Sequence, residues 1–148
     1  MFRLIEEIHD HELVEKSGGI DLLIHNASIY HEEDFSTITP QELRRFTSIH
    51  LDAPFFMTQG LVPKIKEKKG SIIGIVDTSW GQSWENLSHY TATKAALRQL
   101  LINLSGELAP EIRVNGVAPG AILAAAWEKD RFEEVLKQVP MGKAGSPD

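Results

Sequence analysis

The 148-residue chain contains no cysteine, which excludes disulfide bonds and thiolate metal sites. It has no apolar run long enough to span a bilayer, and its start, MFRLIEEIHDHELVEKSGG, is too charged for a signal peptide. Basic side chains are outnumbered: 15 Lys and Arg stand against 21 Asp and Glu, a formal charge of −6. That balance argues against nucleic acid and against an anionic membrane surface as partners. No internal repeat and no linker-like stretch interrupts the chain. What is present, 42% apolar and 24% charged residues, suits one globular domain with a cytoplasmic location as the default. The six histidines are scattered, His9 and His11 reading as a solvated helix face, and no metal site is expected.

Hydrophobic periodicity then orders the chain. Leu4, Ile5, Ile8 and Val14 have near-helical spacing over residues 2–16, and SGG stops them. IDLLIHNA (20–27) reads as a short buried strand. TPQE (39–42) is a helix start: Thr39 caps, Pro40 suits the first helical position, and Glu42 completes a capping box. The helix it opens runs to about residue 67. GSIIGIV (70–76) is a second buried strand, and a helix from about 87 to 109 carries Leu97, Leu100, Leu101, Leu104 and Leu108 on one face. IRVNGV (112–117) is a third strand, followed by APGAIL and a charged helix at about 128–138. Strand–helix–strand–helix–strand implies parallel strands, with ligands expected outside their carboxyl ends. Asn26–Tyr30, Asp77–Ser79 and Ala118–Ile122 occupy those ends.

Tyr90 and Lys94 stand at i and i+4, sharing one helix face, and Asp77 precedes the tyrosine by thirteen residues at a strand end. A phenol titrates near pH 10, too high for ready proton exchange at neutrality. A cation within about 4–6 Å makes it a usable general acid or base. An amphipathic helix with an incidental Tyr and Lys would show the same spacing, so the position of Asp77 carries the weight.

HNAS, SIIGIVDTS, YTATKAAL and IRVNGVAPG, in this order and spacing, resemble the short-chain dehydrogenase/reductase family over essentially the whole chain. The resemblance implies that Tyr90 is the catalytic tyrosine and that Lys94 holds the nicotinamide ribose and tunes the phenol. It places Asn26 and Ala27 beside the adenosine part of the cofactor, and Pro119, Gly120 and Ile122 along the nicotinamide. Most members have serine where this chain has Asp77; an aspartate there is similar to the pteridine and dihydromonapterin reductases. A pterin ring nitrogen can take its proton from an acid beside the tyrosine, whereas a simple ketone needs only a neutral donor. Asp77 could otherwise cap local backbone amides.

Other departures point the same way. Tyr30 lies where pteridine reductases place an aromatic that sandwiches the pterin, although a packed loop tyrosine is the alternative. Ser28, which those enzymes share, would reach substrate and cofactor phosphate. His25, in place of the family's first asparagine, reads as a structural residue. His50 stands where many members have a catalytic asparagine; on helical spacing it shares the core side with Phe46, Ala53 and Met57. Pro54 cannot donate to the carbonyl of residue 50, which is left free at a kink; the resemblance implies that this carbonyl holds a water leading to Lys94, a proton relay that the imidazole itself could join. Trp80 and Trp84, between Asp77 and Tyr90, could wall a planar ligand or pack between subunits.

The family's first strand and its glycine-rich pyrophosphate turn have no counterpart: Gly-x-x-x-Gly-x-Gly occurs nowhere. The expected fold is therefore α/β, a doubly wound parallel sheet (Rossmann-like) that is incomplete, with the central and C-terminal half only. Residues 1–148 would form one partial domain, a fragment or truncated product. Strand 20–25 would then show an unpaired edge and one sheet face would be poorly covered. The resemblance implies a reductase using NADP(H) on a small pterin-like molecule. A general carbonyl or acyl reductase, or a non-catalytic chain that only self-associates, is the alternative. Helices 40–67 and 87–109 correspond to those by which the family forms dimers and tetramers, so a homo-oligomer is expected.

Overall fold

The computed structural model describes residues 12–124 and 129–147. The N-terminal pattern through His9 and His11 lies outside them, as does the expected start of the last helix at 128. From Glu12 a short helix, α1 (Glu12–Ser17), leads into the glycine pair. A Cβ on Gly19, whose φ is +130°, would stand 2.6 Å from Lys64 O, so this turn requires glycine.

Three strands follow the apolar runs: β1 (Leu22–His25), β2 (Ser71–Ile75) and β3 (Arg113–Val117). They form one sheet in the order β1-β2-β3, parallel throughout, with Ile24 beside Ile73 and Ile75 beside Val117. β1 is shorter than the 20–27 expected. Ile20 N–H leaves the ladder for Lys64 O, and Asp21 keeps only a carbonyl bond to Ser71 N–H at the sheet's start.

The connections are helical. Thr39 Oγ1 accepts the N–H of Glu42 at 3.1 Å and opens α2 (Pro40–Thr47). The Glu42 carboxylate is engaged by His31 and Arg45. A π turn (Ser48–Asp52) joins α2 to α3 (Ala53–Glu67), so the single helix expected at 40–67 is in two parts. The cause is Pro54, which has no N–H to return to residue 50; the backbone widens instead, and Ala53 N–H reaches Ser48 O. After β2 comes α4 (Ser88–Glu107), and beyond β3 comes α5 (Lys129–Gln138). Among the described residues, no helix is long and apolar enough to cross a membrane. The described residues up to Val117 make one compact unit and those from Ala118 a second; in the latter, Ala121 O accepts from Gly145 N–H.

In the first unit, α3 and α4 cover one face of the sheet. Leu61, Ile65, Leu97 and Leu101 enclose Ile72, Val76, Ile112 and Val114 there. Leu101 occupies the space above Gly74, where a Cβ would collide with its Cδ1. The opposite face is open: Leu22 is 47%, Ile24 51% and Val117 47% exposed. Among the described residues β1 is thus an edge strand buried only on the side of Leu23 and His25, in line with the unpaired edge and poorly covered face expected there, rather than a strand buried on both faces. This asymmetry yields a paired test. Leu101→Ala should lower unfolding free energy by about 2–4 kcal/mol in urea titration, whereas Ile24→Thr should change it by about 0.5 kcal/mol or less.

Candidate active site

β2 ends at Ile75, and two residues later Asp77 meets the start of α4. The Tyr90 hydroxyl donates to Asp77 Oδ2 at 2.8 Å, while Asp77 Oδ1 accepts the N–H of Ser79 at 2.7 Å. Asp77 thus accepts from a local backbone amide and from the phenol at once. Tyr90 and Lys94 are both buried, at 7% and 4% exposure. One helical turn after Tyr90, Lys94 Nζ donates to Ile75 O at 3.0 Å and lies 5.8 Å from the Tyr90 ring centroid. Burial lowers the Lys94 pKa, and the charge of Asp77 works against that shift.

The segment after β1 borders the same pair. Asn26, Ala27 and Ser28 are exposed, and Tyr30 is half-buried with its ring edge-on to Tyr90, centroids 4.8 Å apart. Ile29, Tyr30 and Trp84 pack on the cluster of Phe46, Leu87 and Tyr90. Trp80 is 57% exposed, with the Arg98 guanidinium 4.8 Å over its ring. The loop carrying Tyr30 is held by Glu33 N–H on Asn86 O at 2.9 Å and by His31 Nε2 against Glu42 at 3.3 Å.

His50 is fully buried in the π turn and makes three polar contacts. Its Nε2 lies 2.9 Å from Ser28 Oγ and receives the backbone N–H of Ile29 at 3.3 Å; its Nδ1 lies 2.8 Å from Thr93 Oγ1. Burial first, and then the Lys94 charge, lower its pKa from the ordinary 6.5 to about 4. A ring held neutral to that extent bears a single N–H at pH 7, leaving one nitrogen to donate and the other to accept. His25 is structural, as the sequence suggested: its Nε2 pairs with Thr58 Oγ1 at 2.8 Å, and burial lowers its pKa to about 4. Pro119, Gly120 and Ile122 belong to the second unit, the first two exposed and Ile122 half-buried.

Sequence reasoning missed Thr93, a buried hydroxyl 2.8 Å from His50 Nδ1 that donates to Tyr90 O at 2.9 Å. Its i+3 spacing from Tyr90, on the same helix face, was the available signal.

A family model described as short chain dehydrogenase matches residues 6–135. The chain is 35% identical over 143 residues to the glucose and ribitol dehydrogenase homolog of Oryza sativa subsp. japonica, covering 88% of this chain and 48% of the rice protein. A short-chain glucose/ribitol dehydrogenase from Brucella melitensis has a TM-score of 0.83 at 35% identity, over 90% of this chain and 56% of that one. The FolM alternative dihydrofolate reductase 1 of Brucella suis, solved in complex with NADP, has a TM-score of 0.78 at 28% identity, over 90% and 57%. The chain thus spans about half the length of the relatives it matches.

The two buried imidazoles make stability depend on pH with a definite sign. Both rings have pKa values near 4 in the folded state against 6.5 when unfolded, so between these values the unfolded chain binds more protons. Their contribution is complete above about pH 6.5 and is lost as pH falls toward 4, up to roughly 3 kcal/mol for each ring. Urea midpoints should fall between pH 7 and pH 4.5, and His50→Asn, which cannot titrate there, should flatten that decline.

Proposed function

Because the chain belongs to the short-chain dehydrogenase family, we propose that it is the catalytic middle of a cytoplasmic reductase of pteridine-reductase type, using NADP(H) to reduce a pterin or dihydropterin. The observation that carries this is the 2.8 Å bond from Tyr90 Oη to Asp77 Oδ2. A family tyrosine working on a ketone has no need of a carboxylate as hydrogen-bond partner; a ring nitrogen that gains a proton does. The FolM neighbour, named as a dihydrofolate reductase, lends support from similarity.

The residues present fit one end of a dinucleotide. Lys94 Nζ, buried beside the phenol, offers donors suited to ribose hydroxyls. Asn26, Ala27 and Ser28 are open at the end of β1, and Pro119, Gly120 and Ile122 follow β3 in the chain. No glycine-rich turn for a pyrophosphate occurs in the 148 residues. The cofactor, when bound, supplies a hydride to the carbon of the ring C=N bond. Tyr90 then delivers the proton to the adjacent nitrogen, so that carbon and nitrogen each gain one hydrogen. Asp77, half-buried and joined to the phenol, returns a proton to Tyr90 from solvent. Tyr30, already packed on Tyr90, offers its ring to the flat heterocycle, and Trp84 closes the apolar side.

The reading separates from a general carbonyl or acyl reductase in one assay. Asp77→Ala should cut pterin-dependent NADPH oxidation by about 100-fold or more while ketone reduction stays within a fewfold; Tyr90→Phe should abolish both. Equal losses for the two substrates would leave Asp77 without a pterin role. If the 148-residue chain binds no NADPH at millimolar concentration, the isolated chain is not an enzyme.

A homo-oligomer is part of the same proposal. Leu51, Phe55, Phe56, Ala96 and Leu100 line an apolar groove of about 520 Å³ along α3 and α4, and Phe55 is 43% exposed in it. These helices are the ones the family resemblance assigns to subunit contacts, so a second copy is the occupant. Phe55→Glu should therefore shift the light-scattering mass from dimer or tetramer toward monomer.

A further inference from the structure

Ser28, His50 and Thr93 form one chain of hydrogen bonds linking the segment after β1 to the helix that carries Tyr90. Its direction can be worked out from fixed donors. A backbone N–H only donates, so Nε2 of His50, which receives Ile29 N–H, bears no proton. In a neutral ring the proton then sits on Nδ1, which donates to Thr93 Oγ1. Thr93 can accept that bond because its own hydrogen is spent on its helix, toward Tyr90 O at 2.9 Å or His89 O at 3.1 Å. The remaining lone pair on Nε2 is shared between Ile29 N–H and the Ser28 hydroxyl.

From this we propose that Thr93 is a positioning residue: by keeping the His50 proton on Nδ1, it holds Ser28 and Ile29 against the buried ring and so places Tyr30 on Tyr90. Tyr30 is the next residue along the chain, and its ring contact with Tyr90 is the product of that clasp. The groups facing His50 are consistent with it. Phe46 and Tyr90 stand roughly perpendicular to the imidazole with ring centroids 5.6 and 5.7 Å away, and the Lys94 charge opposes a second proton. With the proton on Nε2 instead, two N–H donors would point at each other, and Ile29 would be driven off. The value of Tyr30 as a stacking group rests on the pterin reading; the clasp itself does not.

The test is nitrogen NMR of the folded chain at pH 7 with ¹⁵N-labelled histidine. Wild type should show His50 Nδ1 as the protonated, pyrrole-like nitrogen and Nε2 as pyridine-like, with Tyr30–Tyr90 cross-peaks present. Thr93→Val leaves Nδ1–H facing a methyl group. It should move the proton to Nε2, wholly or in part, and remove the Tyr30–Tyr90 cross-peaks; Thr93→Ser should restore both. A wild-type His50 protonated on Nε2 overturns the proposal without any variant. So does a folded Thr93→Val chain that keeps both the Nδ1 proton and the cross-peaks. Should Thr93→Val not fold, Ser28→Ala serves instead: it should leave the tautomer unchanged because the Ile29 and Thr93 bonds remain, and a switch to Nε2–H overturns the proposal. None of these signals depends on turnover, so failure of pterin reduction would leave them intact.

Discussion

The ammonium of Lys94 resting on the carbonyl of Ile75 is the contact from which the rest of the site takes its position. It joins the last residue of β2 to the second turn of α4, and it is buried. A charge there costs solvation, which its lowered pKa records; a carbonyl dipole and the nearby Asp77 carboxylate offset that cost. Once the lysine is anchored, Tyr90, one turn earlier, must face the loop that follows β2. Asp77 is the second residue of that loop, and its two oxygens divide between the phenol and Ser79 N–H. A strand end and a helix start are thus tied twice within a few ångströms. The apolar packing of Leu97 and Leu101 on the sheet holds the same helix farther along.

A second layer of polar contacts brings the β1 side to this frame. His50 lies between Ser28 and Thr93 and His25 pairs with Thr58, and both imidazoles are kept neutral by burial. Neutral imidazole is useful here because it donates and accepts at fixed opposite points of a rigid ring. An asparagine amide could do the same at shorter reach. The histidine at position 50 therefore reads as a spacer that spans the distance between two elements.

Much of this was legible in the residues. The three apolar runs became three parallel strands, and the four-residue step from Tyr90 to Lys94 placed both on one buried face. The edge position of β1 followed from the lack of a preceding strand. So did a poorly covered sheet face; which face it would be did not, because a continuous run such as DLLIH is equally suited to burial on both faces. The role of His50 was half visible. Helical spacing put it on the core side, but its partners, Ser28 and Thr93, are 22 and 43 residues away, and no local pattern reports a hydrogen bond across such a distance. Thr93 was overlooked for a related reason: a hydroxyl within a helix ordinarily bonds back to its own turn, and here it does that and accepts from His50 as well.

The π turn around His50 has a consequence for the whole length of the α2–α3 segment. Phe46, His50, Pro54 and Thr58 are all buried, each four residues after the last. In a regular helix every such step overshoots a full turn by about 40°, since each residue advances about 100°, and the stripe would wind away from the sheet. The wider turn absorbs part of that overshoot and keeps the four side chains in line. Pro54 thus acts as a phase corrector. By forfeiting one hydrogen bond, it lets a single helical segment serve the sheet with its second half while its first half reaches the site with His50.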